Sequence, residues 1–385
     1  MVYITQKASP RYPQLTLEDF LSNDEVKVRP VILNETNTRT VVLEKLNDRY
    51  SFLANPVART NILRDFNNRW DYLREVPRSD LYETFFIPKK SGGLRQINAP
   101  SGQLKVALYE LKDIFERHFG ADFLYHTSAF AYVKGRSTID AVKRHQTNES
   151  RWYLKLDLHD FFGSTTLDFV MSQFSLIYPF SEVVKLPDGE RELRKALELA
   201  FLNGGLPQGT PISPLITNIM MIPIDHVLFN RLKNFEKNSF VYTRYADDFI
   251  ISSRYNFMFR PIENLVVDTL SEFHAPFRLN REKTRYGSYK GQNYNLGLMV
   301  CSNTDGSVRI TVGAGKKRQF RAMLYTYACD LKNGKVWDLA DVQVLDGYRN
   351  YYRMVEGNTI DEIVKGVSEK CGIDILEEIK QQLRA

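Results

Sequence analysis

Two adjacent aspartates inside an apolar run constrain this chain more than any other feature. They are Asp247 and Asp248, in the stretch RYADDFIISS that spans residues 244–253. The β-branched and aromatic residues on either side predict two short strands joined by a tight turn at the aspartates. Neighbouring carboxylates repel each other, and burying them is costly without a compensating charge. The fold must therefore bring positive charge to this turn or leave it in solvent.

A third aspartate ends another predicted strand. The run YLKLD, residues 153–157, is typical of a buried strand and finishes at Asp157. Carboxylates at the ends of neighbouring strands can share divalent cations, and hard oxygen ligands favour Mg²⁺. Two such ions, about 4 Å apart, would activate an attacking 3′-oxygen and stabilise a leaving pyrophosphate. A solvated hairpin turn explains the paired aspartates alone at least as well, so the surrounding residues must decide.

Composition fits a globular protein with a polyanionic partner but does not require that partner. The chain has 385 residues, of which 43% are hydrophobic and 25% charged, with a formal net charge of +6. The three cysteines form no CxxC pair, which favours reduced thiols in a cytoplasmic protein. The first residues lack the order of a signal peptide, and no apolar run approaches the roughly 20 residues of a membrane helix. We therefore expect no membrane association.

The predicted elements change character twice along the chain. Residues 1–80 are mixed and partly helical, with one short helix predicted over LTLEDFLSNDEV. Two β-prone runs around KKSGG then predict a hairpin, and the following apolar stripe of a helix comprises Leu104, Leu108, Leu111 and Phe115. Residues 210–232 read as one long apolar helix, and the pattern is helical from Lys316 onward, with an amphipathic tail over 359–384. This order predicts one continuous α+β body.

Several motifs, in this order along the chain, resemble those of reverse transcriptases. YADD, the earlier strand-borne Asp157 and LPQGTPISP between them resemble the palm. The hairpin FFIPKKSGGLRQINAP is similar to the fingers, and AYVKGRST to the stretch before the first palm strand. LNREKTRY and YNLGLMV are similar to the motifs after the catalytic hairpin, and LDGYRNYYRMVEG to a bacterial thumb helix.

The resemblance implies a fold and its division. It implies an α+β right-hand polymerase of fingers, palm and thumb. The N-terminal helical extension would span 1–80, the fingers and palm 81–300, and the α-helical thumb 301–385.

The resemblance also implies roles for residues at the reaction centre. Asp157 and Asp247 would be the principal ligands of two Mg²⁺ ions, and Asp248 the second carboxylate of the pair. Lys283 would donate a proton to pyrophosphate. Phe162 would exclude a ribose 2′-hydroxyl by its volume, although core packing is the alternative because Phe161 is adjacent.

Further residues would bind the nucleotide. Gln208 and Gly209 match the motif that holds the incoming base and the template, where glycine permits close backbone approach. On the hairpin, Arg95 would grip the triphosphate through its forked guanidinium, and Lys89 would add a point charge, a role for which Lys90 competes.

Basic residues would hold the nucleic acid. Lys316, Lys317, Arg318 and Arg321 fall on about one and a half turns of one predicted helix, with tyrosines following. Arg136, in AYVKGRST, is assigned to the same role. The alternative for such a charge run is a solvated helix face.

Within the family the chain resembles small bacterial enzymes of the retron and group II intron type. Retron enzymes carry Asn-Ala-x-x-His, where this chain has Asp140 and one extra residue before His145, and Val-Thr-Gly, where it has Asn295-Leu296-Gly297. These departures leave room for an antiphage defence reverse transcriptase.

Three functional interpretations stay open. They are cDNA synthesis from dNTPs on a dedicated non-coding RNA with a DNA primer or product, template-independent or protein-primed DNA synthesis, and a non-catalytic RNA-binding scaffold. An effector protein or a second copy of the chain would be a further partner.

Overall fold

The protein is described by a computed structural model. The structure describes residues 30–32, 41–43, 55–89, 92–235, 240–290, 294–302 and 308–384. The helix predicted over LTLEDFLSNDEV, and with it most of the predicted extension, lies outside these residues.

Helices account for most of the described chain. Their bounds are α1 Pro56–Trp70, α2 Gly102–His118, α3 Ala121–Leu124, α4 Thr138–Thr147, α5 Phe161–Ser164, α6 Leu167–Phe174, α7 Phe180–Val184, α8 Pro187–Glu198, α9 Ser213–Met220, α10 Ile222–Asn234, α11 Phe259–Glu272, α12 Ala314–Lys332, α13 Leu339–Glu356, α14 Asn358–Cys371 and α15 Ile375–Arg384. Short 3₁₀ turns cover Asp71–Arg74 and Arg78–Leu81. None of the described helices combines the length and apolar character needed to cross a membrane.

The strands form small sheets. They are β1 Pro30–Ile32, β2 Val41–Leu43, β3 Tyr82–Pro88, β4 Leu94–Pro100, β5 Trp152–Asp157, β6 Val241–Tyr245, β7 Asp248–Ser253, β8 Arg285–Ser288, β9 Tyr294–Asn295, β10 Leu298–Ser302 and β11 Val308–Thr311. The order in the largest sheet is β6-β7-β5-β8. The others are the pairs β1-β2 and β3-β4 and the three-stranded sheet β11-β10-β9.

The central sheet has the strand ends that the sequence predicts. β5 finishes at Asp157, and β7 begins at Asp248 after a two-residue turn, with Tyr245 paired opposite Asp248. Aromatic and β-branched side chains make up most of β6 and β7, and most of them are buried, which favours this hairpin at one side of the sheet. The edge at which these strands end therefore carries the aspartates.

Two predicted long helices are each divided in two. The apolar run over 210–232 breaks between α9 and α10, where Pro223 occupies the first turn of α10. Proline lacks an amide hydrogen and clashes with the preceding turn, so it begins a helix more readily than it continues one. The tail over 359–384 breaks at Gly372, which adopts the left-handed conformation that ends α14.

Contacts divide the chain into two units. The first comprises Met1–Ala141 and Tyr153–Tyr286, and the second Val142–Trp152 and Gly287–Ala385. In the first unit, the predicted stripe of α2 is completely buried, and α1 packs along α8. In the second, α12, α13, α14 and α15 share a core that includes Phe320, Leu345 and Val364. The predicted boundaries after residues 80 and 300 stay a prediction.

Candidate active site

The turn between β6 and β7 presents the two adjacent aspartates. Ala246 begins this turn with a φ of +56°, in the left-handed region. An L-residue there is less stable by roughly 1–2 kcal/mol, so its surroundings must hold it. The carbonyl of Asp247 accepts a hydrogen bond from the amide of Leu158 at 3.1 Å. The turn is thereby joined to the residue that follows Asp157.

A second segment approaches Asp157 from the opposite side. The amide of Asn280 donates to the carbonyl of Asp157 at 2.7 Å, and the amide of His159 donates to the carbonyl of Arg278 at 2.8 Å. This pairing carries Lys283 to the site, where its Nζ lies 2.9 Å from Oδ1 and 3.1 Å from Oδ2 of Asp157. The hydrogen bond to Asp157 raises the pKa of Lys283. The predicted proton donor is thus in contact with a predicted metal ligand.

The carboxylates share an excess of negative charge. Burial, and after it the charges of Asp247 and Asp157, raise the pKa of Asp248 to about 7. Burial also raises the pKa of Asp247, with Asp157 adding to the effect and Lys283 and Arg95 opposing it. Such a group of oxygen donors on strand ends fits a divalent cation in both chemistry and charge. In the geometry shown, no cluster of three or more His, Cys, Asp or Glu within the described ranges is arranged to hold a metal ion.

Phe162 lies in the first turn of α5. Its side chain is 9% exposed, and its ring meets that of Tyr132 edge-on with centroids 6.5 Å apart. The neighbouring Phe161 packs deeper, 4.9 Å from the ring of Phe277. Both rings are buried, so the steric role of Phe162 stays a prediction.

Gly209 lies close to the backbone of β4, and its predicted role at the base and template stays a prediction. Its φ is +115°, and a Cβ there would lie 2.7 Å from Cγ2 of Ile97 and 3.0 Å from the carbonyl oxygen of Asn98. The amide of Asn98 also donates to the carbonyl of Gln208 at 2.8 Å. The motif LPQG is therefore pressed against β4, the strand that carries Arg95.

The two hairpin cations differ in their placement. Arg95 is exposed and close enough to lower the pKa of Asp247. Lys89 is exposed at the end of β3, and its backbone closes the hairpin through hydrogen bonds with Gly92 and Gly93. The structure brings Arg95 to the carboxylates and gives no such relation for Lys89.

Among the predicted nucleic-acid contacts, three residues are engaged within the protein. Lys316 donates to the carbonyl of Gly297 at 2.6 Å, and Lys317 to Glu356 at 2.7 Å. Arg136 donates to the carbonyls of His126 and Ala129. Arg318 and Arg321 are exposed on α12. The binding role of all five stays a prediction.

Sequence reasoning missed several residues of this site. Tyr132, exposed at a positive φ, lies in the motif AYVKGRST, which by itself indicates no role for it. Lys155 lies two residues before Asp157, and burial lowers its pKa to about 8 while Asp248 opposes that change. Arg244 and Asp225 form a buried ion pair behind the turn. A charged residue inside each of two apolar runs was the available signal for the last pair.

Residues 87–320 match the family described as reverse transcriptase (RNA-dependent DNA polymerase). The chain belongs to the reverse transcriptase family. This confirms the predicted α+β right-hand polymerase fold and the predicted enzyme class, an RNA-directed DNA polymerase.

Individual relatives refine the comparison. This reverse transcriptase is 29% identical over 274 residues to the retron Ec73 reverse transcriptase of Escherichia coli, which covers 70% of this chain and 82% of that protein. It is 26% identical over 319 residues to the retron Ec83 reverse transcriptase of the same species, covering 81% and 94%. The similarity to retron enzymes confirms the predicted bacterial type despite the departures at Asp140 and Asn295.

Solved structures are more distant. Telomerase from Candida albicans in complex with a TWJ fragment of telomeric RNA is 13% identical, with a TM-score of 0.39 and coverage of 78% of this chain and 60% of that one. This similarity is too low to carry a conclusion.

Proposed function

We propose that Asp157, Asp247 and Asp248 are the catalytic carboxylates of two-metal-ion nucleotidyl transfer. The observation that supports this most is the charge at the strand ends, where burial and mutual repulsion raise the pKa of both turn aspartates. Mg²⁺, when bound there, would activate the 3′-hydroxyl of the primer and offset the charge on the leaving pyrophosphate. A bound cation would supply the positive charge that these buried carboxylates need.

Lys283 is the proposed proton donor to pyrophosphate. Its side chain is 60% exposed although it pairs with Asp157, so it can reach toward a substrate at the site. The raised pKa keeps the ammonium charged while it contacts Asp157. If Asp157 bound a cation instead, Lys283 would lose its partner. The pKa of Lys283 would then fall, and Lys283 would become a better acid.

The nucleotide is proposed to lie between the hairpin and α5. Arg95 grips the triphosphate, with Lys89 as a second cation, while Phe162 limits space at the sugar. Gln208 and Gly209 present backbone to the base and template. The contact between LPQG and β4 supports this arrangement, since it fixes the hairpin relative to the base-binding motif.

We further propose that the template is a dedicated non-coding RNA and that the cDNA serves antiphage defence. Similarity to retron reverse transcriptases supports an RNA-templated reaction. The arginines on α12 are proposed to contact the backbone of the RNA–DNA duplex. Arg136 is proposed as a separate nucleic-acid contact. An effector protein or a second copy of the chain is a proposed further partner.

Primer extension with Asp247→Ala tests the catalytic proposal. Removal of this carboxylate should abolish DNA synthesis with Mg²⁺ and labelled dNTPs, because a proposed metal ligand is lost. The fold should persist, with a cooperative thermal transition at or above the wild-type temperature, since repulsion with Asp248 is relieved. Synthesis by this variant at a near wild-type rate would refute the proposal.

The same assay separates the other interpretations. Wild-type synthesis that requires added or co-purified RNA supports the RNA template. Synthesis that survives complete RNase digestion identifies a template-independent or protein-primed polymerase instead. RNA binding without any synthesis would indicate a scaffold.

A further inference from the structure

A charged pair lies in the apolar interior behind the catalytic turn. Arg244 of β6 and Asp225 of α10 both have side chains with no solvent exposure. Nε of Arg244 lies 2.9 and 3.0 Å from the two carboxylate oxygens, and Nη2 lies 2.8 Å from Oδ2. Burying such a pair costs several kcal/mol per ion, and apolar replacements are often as stable. Stability is therefore a weak explanation for its presence.

The remaining arm of the guanidinium reaches the turn itself. Nη1 of Arg244 donates to the carbonyl of Ala246 at 3.2 Å and to Oδ1 of Asn218 at 3.3 Å. Ala246 is the residue in the left-handed conformation, and its carbonyl belongs to the peptide that leads into Asp247. Because Asp225 fixes the plane of the guanidinium, Nη1 holds this peptide in one orientation. The same peptide supplies the amide of Asp247, so its orientation constrains the backbone from which that side chain projects.

The same strand anchors the segment that ends at Tyr132. The amide of Arg244 donates to the carbonyl of Ser128 at 2.6 Å, and its carbonyl accepts from the amide of Phe130 at 2.9 Å. Nδ2 of Asn218 donates to the carbonyl of Ala131 at 2.7 Å. Arg244 and its partners thus join the metal-binding turn to the residue whose ring lies beside Phe162.

We propose that the Asp225–Arg244 pair is a positioning unit that sets Asp247 for catalysis. The inference rests on the proposed function, in which Asp247 is a metal ligand. Neither member of the pair touches substrate, so its effect passes through the Ala246 carbonyl. A displaced turn would weaken metal binding and slow the chemical step, because a misplacement of about 1 Å can cost about 100-fold in rate.

Arg244→Lys tests this inference. Lysine keeps the positive charge for Asp225 but is a point donor, so one ammonium does not reproduce the fork that spans Asp225 and the Ala246 carbonyl. Single-turnover nucleotide addition should slow by about 10- to 100-fold at saturating dNTP. The apparent Kd for dNTP should stay within about threefold, since the triphosphate contacts are elsewhere. Mn²⁺ binding to the protein without nucleotide, followed by electron paramagnetic resonance, should weaken in parallel.

Tyr242→Phe is the matched control. It removes the hydroxyl that donates to Oδ1 of Asp225 at 2.7 Å but leaves the contact of Arg244 with Ala246. We expect a lower melting temperature with an unchanged rate and unchanged Mn²⁺ affinity. If Arg244→Lys behaves like this control, the pair is only a structural element and the inference is overturned.

Two further variants keep the outcomes distinct. Should Arg244→Lys fail to fold, the double variant Asp225→Asn/Arg244→Gln leaves no buried charge and still shortens the arm that reaches Ala246. It should fold and show the same loss of rate, and a wild-type rate in it would equally overturn the inference. Asp247→Ala, measured alongside, tests the proposed function separately: activity in that variant refutes the metal site itself, whatever the pair does.

Discussion

At the scale of single residues, substitution of Phe162 tests its proposed role in sugar selection. Replacing it with Val should raise rNTP incorporation relative to dNTP, because a smaller side chain leaves room for a 2′-hydroxyl. We expect a change of about 10-fold or more in the ratio of the two efficiencies, which corresponds to at least about 1.4 kcal/mol of discrimination. Steady-state incorporation of matched rNTP and dNTP measures it.

Phe161→Val is the control for that measurement. This ring is 2% exposed and packs on Phe277, so its truncation should destabilise the fold by about 1–3 kcal/mol and leave the sugar ratio unchanged. If both variants keep the wild-type ratio, Phe162 is a core residue and another side chain limits the sugar.

At the scale of an element, the segment before Tyr132 contains a buried histidine. This histidine should make the stability of the folded protein depend on pH. Burial lowers the pKa of His126 to about 3, and its Nδ1 accepts a hydrogen bond from the amide of Ser128. The unfolded chain takes up a proton near pH 6.5, whereas the folded protein does not. The free energy of unfolding should therefore fall as pH drops below about 6.5, by at most about 1.4 kcal/mol per pH unit from this group.

His126→Asn should flatten that slope between about pH 6 and 4, measured by chemical denaturation in the presence of EDTA. His274→Asn is the matched control, because His274 is exposed and adopts a left-handed φ of +52°, which asparagine tolerates. An unchanged slope in the His126 variant would show that His126 remains protonated or accessible in the folded state.

Local sequence patterns predicted helices, strands and turns better than they predicted contacts between residues distant in sequence. The strand that ends at Asp157, the turn at Asp247 and the stripe of α2 were all readable because each depends on short-range periodicity and turn chemistry. The breaks at Pro223 and Gly372 were overlooked, although both residue types interrupt helices for known steric reasons.

Partners distant in sequence were beyond the reach of such patterns. Lys283 and Asp157 are separated by 126 positions, and Lys317 and Glu356 by 39. Nothing local to α12 distinguishes the lysines that the protein itself engages from the exposed arginines beside them. The site was therefore predicted as a set of residues, while its internal pairing required the fold.

At the scale of the whole molecule, the affinity for a nucleic-acid duplex should depend on the exposed arginines of α12. Arg318 and Arg321, three residues apart, share a face of the helix. If each contacts a phosphate, replacing both with Ala should reduce the slope of log K against log salt by up to about 2, with equal weakening for all sequences. Fluorescence anisotropy of a primer–template across a salt series measures this slope.

Lys316→Ala/Lys317→Ala is the comparison. Lys317 pairs with the carboxylate of Glu356, and Lys316 donates to the carbonyl of Gly297. Compared with the double arginine variant, this variant should therefore lower the melting temperature more and change the salt slope less. The opposite ranking would show that the lysines leave their partners to bind nucleic acid.

The division into two units has a consequence for how such an enzyme can be recombined. The chain crosses the boundary three times, since 142–152 belongs with 287–385 although 153–286 intervenes. The amide of Tyr289 donates to the carbonyl of Arg151, and His145 in the same short stretch is fully buried. A single genetic crossover near residue 286 would give a chimera whose second unit comes from two parents. A complete exchange of that unit requires two separate stretches of the gene to travel together.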